Sequence, residues 1–242
     1  MGTTAVLFLI VWITSLFIAV GTPRRDHGDR SIEFWLSLPT GHSESLAAPL
    51  LVHLVLVPAA ALLIGLLGGF VISLLLVGRF VGLAEWFALP WATLLPAVLS
   101  VTLRVVAGLP LATLWLMPLL LLAMLSNAVF KRWGLPLFVV SLSLTAALLK
   151  AVFGQPLLAD ALRRLGMGAG LSLAGASGDN MVINDSGQAV AALAHMPRWA
   201  LEDFGAALGM AASPAFVAAM VVSAGLFYLL VLWRQRGASS GV

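Results

Sequence analysis

Long apolar runs separated by short polar breaks dominate the chain. Ala5 to Val20, Leu50 to Val77, Val105 to Phe130, Leu135 to Phe153 and Pro214 to Trp233 carry almost no charge. A helix that crosses a bilayer needs about 20 predominantly apolar residues. The pattern therefore predicts an all-α, polytopic membrane protein, a single membrane domain over residues 1–242. Transmembrane helices are expected at 4–20, 50–77, 105–130, 135–153 and 214–233.

Residues 79–104 decide the count. They are apolar but interrupted by Arg79, Glu85, Pro90, Pro96 and Arg104. If this stretch spans, the basic clusters fall on opposite faces. If it stays on one face, Arg24, Arg25, Arg30, Lys131, Arg132, Arg234 and Arg236 all lie on a single side, which the positive-inside bias makes the cytoplasm. The second arrangement, with about five spans, is preferred. It makes 79–104 an interfacial or re-entrant segment of the outer face, with Trp86 and Trp91 in the interface belt and Pro90 and Pro96 breaking the helix. On this reading Arg104 snorkels to the headgroups, and so does Lys150.

The outer stretch 154–212 mixes characters. Leu157, Leu158, Ala161, Leu162 and Leu165 share one helical face, opposite Arg163 and Arg164. Glycines at 166, 168, 170, 175 and 178 predict a loop, and Asn184 to Gly187 a turn. Pro197 is the expected first residue of a second amphipathic helix, and Ser213-Pro214 the cap and start of the last span. Gly65, Gly68 and Gly69 form a small-residue face for helix packing, within the chain or across a dimer.

Composition agrees with the bilayer as solvent: 61% of residues are hydrophobic and only 10% charged, against about 25% charged in soluble domains. The net charge of +3 comes from cations at the ends of apolar runs. It forms no clustered stripe of the kind a nucleic-acid surface needs, so nucleic acid is not an expected partner. With zero Cys there is no thiolate site, and His27, His42, His53 and His195 lack metal-ligand spacing. No metal or cofactor is expected. His53 reads as an interfacial residue. The N-terminus has no basic residue before its apolar run, which favours a retained anchor over a signal peptide.

The most informative segment lies in the polar loop 21–47. Asp29 to Ser45 reads DRSIEFWLSLPTGHSES. Asp29 can cap a short helix. Ile32, Trp35 and Leu36 then form one apolar face, and Pro39 and Gly41 stop the helix. Asp29-Arg30-Ser31, Phe34-Trp35 and Ser37-Leu38-Pro39, together with the span-end pattern from Trp115 to Pro136, resemble the ABC-2 type transporter permease family, in a proteobacterial branch.

That resemblance implies an exporter subunit in the bacterial inner membrane. Asp29, Arg30, Ile32, Phe34, Trp35, Leu36, Leu38 and Pro39 would form the coupling helix that docks on a separate ABC ATPase. Permease subunits would pair as homo- or heterodimers. The family has six spans, and this chain corresponds to it from the second onward, which agrees with a count of five. The chain carries no phosphate-binding loop of the G-x-x-x-x-G-K-[ST] type, so ATP hydrolysis is expected elsewhere and the chain itself is not expected to be an enzyme. Two other classes compete. One is a membrane accessory or degenerate subunit without its own transport path. The other is an intramembrane serine hydrolase: Gly175-Ala176-Ser177-Gly178 resembles the GxSG element of rhomboid-type proteases, with Ser177 as nucleophile and His195 as base. Both groups lie in polar sequence outside any span, which weighs against it.

Overall fold

A computed structural model describes residues 2–28, 42–178 and 186–239. All the regular secondary structure among them is helical. The segment carrying the expected coupling residues, Asp29 to Pro39, lies outside the described residues.

Among the described residues nine α-helices follow one another: α1 Gly2–Gly28, α2 His42–Leu51, α3 Val57–Phe80, α4 Leu83–Phe87, α5 Trp91–Phe130, α6 Gly134–Phe153, α7 Leu157–Leu173, α8 Ser186–Ala211 and α9 Pro214–Ser239. A π-helical turn, Val52–Leu56, joins α2 to α3, and a 3-10 turn, Lys131–Trp133, joins α5 to α6. Four helical stretches among the described residues are long and apolar enough to cross a membrane: Thr4–Thr22, Ser43–Phe80, Trp91–Phe153 and Pro214–Gln235. The third is 63 residues long and holds both α5 and α6. Within it Lys131 takes φ 54°, and Gly134 packs so closely on Asn127 that a Cβ there would collide with its backbone. Leu135 and Phe138 consequently fold back against the end of α5.

Helix α5 is the axis around which the others pack. Its 40 residues, with Pro96, Pro110 and Pro118 inside, follow a helical path of about 60 Å, twice the hydrocarbon thickness. It runs through residues 104 and 105, so the expected division between an outer segment and a span is not a break in the chain. The real break lies earlier. Gly82 adopts φ 119°, α4 is a single short helix, and Pro90 precedes Trp91. Trp86 and Trp91 pack against each other with ring centroids 4.5 Å apart, and both meet Phe70 of α3.

Two expectations for the outer stretch change as well. α7 continues through Gly166, Gly168 and Gly170, and the turn begins only after Leu173. Gly168 is required by contact rather than by a turn, because a Cβ there would enter the ring of Trp115. α8 begins at Ser186, not at Pro197, which lies inside it. The run Ala189, Val190, Ala191, Ala192, Leu193, Ala194 is rich in strong helix formers, enough to carry the helix through one proline. Ser213 does cap α9, its Oγ accepting the Phe216 N–H at 3.3 Å. Of the small-residue face, Gly65 and Gly69 receive Thr4 of α1, whose hydroxyl donates to the Gly65 carbonyl at 3.0 Å. Gly68 faces open space. That seam is internal at two of its three positions.

The largest core cluster lies at one end of the bundle. It joins Ala19 and Val20 of α1, Leu46 and Leu50 of α2, Met124 and Ala128 of α5, and Leu230 of α9. Asn127 Nδ2 donates to the Val20 carbonyl at 3.1 Å and pins α1 to α5 there. α1, α5 and α9 each run into basic residues within a few positions of this core: Arg24-Arg25, Lys131-Arg132 and Arg234. The cationic ends are therefore gathered at one end of the molecule.

Candidate functional site

The most elaborate polar constellation among the described residues is buried. Arg104 of α5 has a side chain 1% exposed, and Asp203 of α8 one that is fully buried. Arg104 Nη2 lies 2.8 Å from Asp203 Oδ2, and Nε donates to the same oxygen at 3.0 Å. The remaining donors turn to α7. Nη1 donates to the Ser172 carbonyl at 2.7 Å and Nη2 to the Leu171 carbonyl at 3.2 Å. These carbonyls belong to the last turn of α7, where backbone acceptors lack intrahelical partners and the helix dipole favours a cation. The guanidinium carbon also stands 5.5 Å from the centroid of the Phe204 ring.

Asp203 faces the other way into the glycine turn. Its Oδ1 accepts the Ser177 N–H at 2.7 Å and the Ser177 hydroxyl at 2.9 Å, and its Oδ2 accepts the Gly175 N–H at 3.1 Å. Gly175 and Gly178 have φ of 87° and 74°, a region glycine enters without a Cβ penalty. The backbone can thus turn its N–H groups onto the carboxylate, as in anion-binding nests. Burial pushes the pKa of Asp203 up. Hydrogen bonds from the Ser177 N–H and hydroxyl, and then the charge of Arg104, pull it down further, so the net position is below the ordinary carboxylate value.

Chemically this is a clamp. It joins α5, the end of α7, the turn at 174–178 and α8 through one saturated ion pair. Each oxygen of Asp203 already accepts two or more hydrogen bonds, which leaves no basic lone pair for proton abstraction. Arg104 does not snorkel: its guanidinium is enclosed by protein. Its position near the edge of an apolar run predicts otherwise, and no neighbouring residue signals a partner 99 positions away. Ser177 spends its hydroxyl on Asp203. His195 precedes Asp203 by eight residues on α8, about 12 Å along the axis, and is exposed. Ser177 and His195 are therefore not brought together as nucleophile and base. His53 sits half-buried in the π turn, Lys150 is exposed near the end of α6, and no group of His and acidic residues among the described residues could hold a metal ion.

Two cavities adjoin this framework. One, of about 450 Å³, lies between α2, the π turn, α5 and α9, lined by Leu50, Val55, Pro110, Met117 and Phe227. Its polar margins are spent: Thr113 Oγ1 donates to the Leu54 carbonyl at 3.4 Å and Ser223 to the Ala219 carbonyl at 2.8 Å. The other, of about 700 Å³, lies between α5, α7 and α9.

Of the expected site, Asp29, Arg30, Ile32, Phe34, Trp35, Leu36, Leu38 and Pro39 are all outside the described residues. The segment is bracketed by the end of α1 and the start of α2, whose adjoining residues Val20 and Leu46 share the core at the basic end. Comparison with protein families, with characterised proteins and with solved structures gave no match to this chain.

Proposed function

We propose that this chain is the membrane-spanning subunit of an ATP-driven exporter of the ABC-2 type, crossing the bacterial inner membrane five times with its basic end in the cytoplasm. The crossings are Thr4–Thr22, the helix from Ser43 to Phe80, α5, α6 and Pro214–Gln235. The observation that carries the reading is the pattern Asp29-Arg30-Ser31, Phe34-Trp35, Ser37-Leu38-Pro39 between the first two crossings. Its surroundings support it. The residues that bracket it belong to the same end as Lys131-Arg132 and Arg234, so the positive-inside bias gives loop and cations one cytoplasmic face.

On this reading a separate ATPase binds the aromatic face of residues 32–36 and pulls on α1 and α2 as it closes on ATP. α1, α2 and α9, which share the core at the basic end with α5, then tilt together against it, as packed helices move in rigid-body transitions. The clamp between Arg104 and Asp203 holds α7 and α8 to α5 far from that end, roughly 36 Å along the helix from Ala128.

The test is co-purification of an ATPase with the solubilised chain from its native membrane. The wild type is expected to retain it, and a Trp35→Glu/Leu36→Glu variant to release it while remaining monodisperse. Equal retention by the variant would remove the coupling role.

A further inference from the structure

The 700 Å³ groove between α5, α7 and α9 has a segregated lining. Trp115 and Pro118 of α5, Leu165 of α7, and Ala219 and Val222 of α9 form an apolar floor. Gln155, Asp160 and Arg164 make up the polar margin, all from the α7 side.

Asp160 and Arg164 stand four residues apart on one helical face, with the acid N-terminal to the base, the favourable order for an ion pair. Yet they form no ion pair, and neither has an ion-pair partner among the described residues. The contrast is on the same molecule: Arg198 and Glu202, also four apart but in the opposite order, close to 2.7 Å while largely exposed. A cation and an anion that face one groove without meeting leave room for a ligand that carries both charges.

From this juxtaposition we infer that the groove is a binding site for a zwitterionic phospholipid of the phosphoethanolamine type. Arg164 takes the phosphate, as guanidinium groups do in paired geometry. Asp160 accepts from the primary ammonium, and Gln155 serves the glycerol ester region. One acyl chain lies along Ala215, Ala219 and Val222 of α9 over the Trp115 ring. The small side chains of α9 admit a chain where larger ones would close the groove. An anionic headgroup would satisfy Arg164 and repel Asp160. A choline headgroup would present methyl groups to a carboxylate that needs a donor. The inference rests on the chain being a membrane protein and is independent of any ATPase.

The experiment is native mass spectrometry of the detergent-purified, delipidated chain titrated with palmitoyl-oleoyl phosphatidylethanolamine, phosphatidylcholine or phosphatidylglycerol. The wild type is expected to hold one phosphatidylethanolamine, about tenfold more tightly than either other lipid. Arg164→Gln and Asp160→Asn should each lose about tenfold in that affinity, and Ala219→Trp should lose binding by filling the groove. Arg163→Gln, on the neighbouring face outside the groove, should bind as the wild type does. Arg164 is exposed, so its variant folds even where Ala219→Trp does not. Equal retention of the three lipids, preference for phosphatidylglycerol, or unchanged affinity in Arg164→Gln would each overturn the site. Because no ATPase enters the measurement, its failure leaves the transport reading untouched, and the converse holds.

Discussion

Removal of one partner from the Arg104–Asp203 pair is the sharpest perturbation the structure offers. In Asp203→Ala, the guanidinium keeps the carbonyls of Leu171 and Ser172 but loses its counter-charge in a site only 1% exposed. At the same time the N–H groups of Gly175 and Ser177 lose their acceptor. Breaking a buried pair by deleting one member costs about 3–5 kcal/mol, because the other charge stays buried and uncompensated. In Arg104→Met the surviving carboxylate still has three donors from the turn, so the loss belongs at the lower end, about 3 kcal/mol. The double variant Arg104→Met/Asp203→Leu removes both charges. It should be less destabilised than the two single losses added together, by at least about 1 kcal/mol of coupling. The assay is reversible denaturation of the detergent-solubilised chain, with amide hydrogen exchange at residues 174–178 as a local probe. Exchange in the turn should accelerate in Asp203→Ala. Single losses below about 1 kcal/mol, or strict additivity in the double variant, would refute the clamp.

Three further outcomes follow from the same geometry. Asp203 has a folded pKa held below its ordinary value, so its contribution is fully present above about pH 4, the unfolded value, and is lost as pH falls through the folded one; thermal stability measured from pH 7 down to pH 3 should show a fall in this window that Asp203→Asn lacks. Ser177→Ala removes one hydroxyl donor while the Ser177 N–H bond remains, so it should cost about 1 kcal/mol in the same denaturation assay and leave any peptide hydrolysis by the purified chain at background. Gly168→Leu drives a side chain into the Trp115 ring and should destabilise by about 1–3 kcal/mol, with tryptophan emission reporting the displaced indole.

The apolar runs read in one dimension as helices, and helices they are. Lys131-Arg132 ends one, and Ser213 caps another, because caps and charges act within a turn or two of where they stand. What the linear pattern misses is partnership across the chain. Arg104 sits at the edge of an apolar run, and nothing within ten residues distinguishes a cation bound for the headgroups from one bound for Asp203. Glycines 166, 168 and 170 resemble a loop signal because glycine is cheap in turns. Gly168 is there because a tryptophan from another helix occupies the space its Cβ would fill. Pro197 reads as a helix start because proline is favoured there, and the alanine-rich sequence before it outweighs one missing hydrogen bond.

The orientation of the loop between α1 and α2 bears the functional account. The chain has no native cysteine, so Ser37→Cys supplies a unique thiol within the segment that resembles a coupling helix. Intact cells would be treated with a membrane-impermeant maleimide, and then lysed cells in parallel. Labelling of Ser37→Cys only after lysis is the result the account predicts; labelling in intact cells would place this segment outside and contradict it.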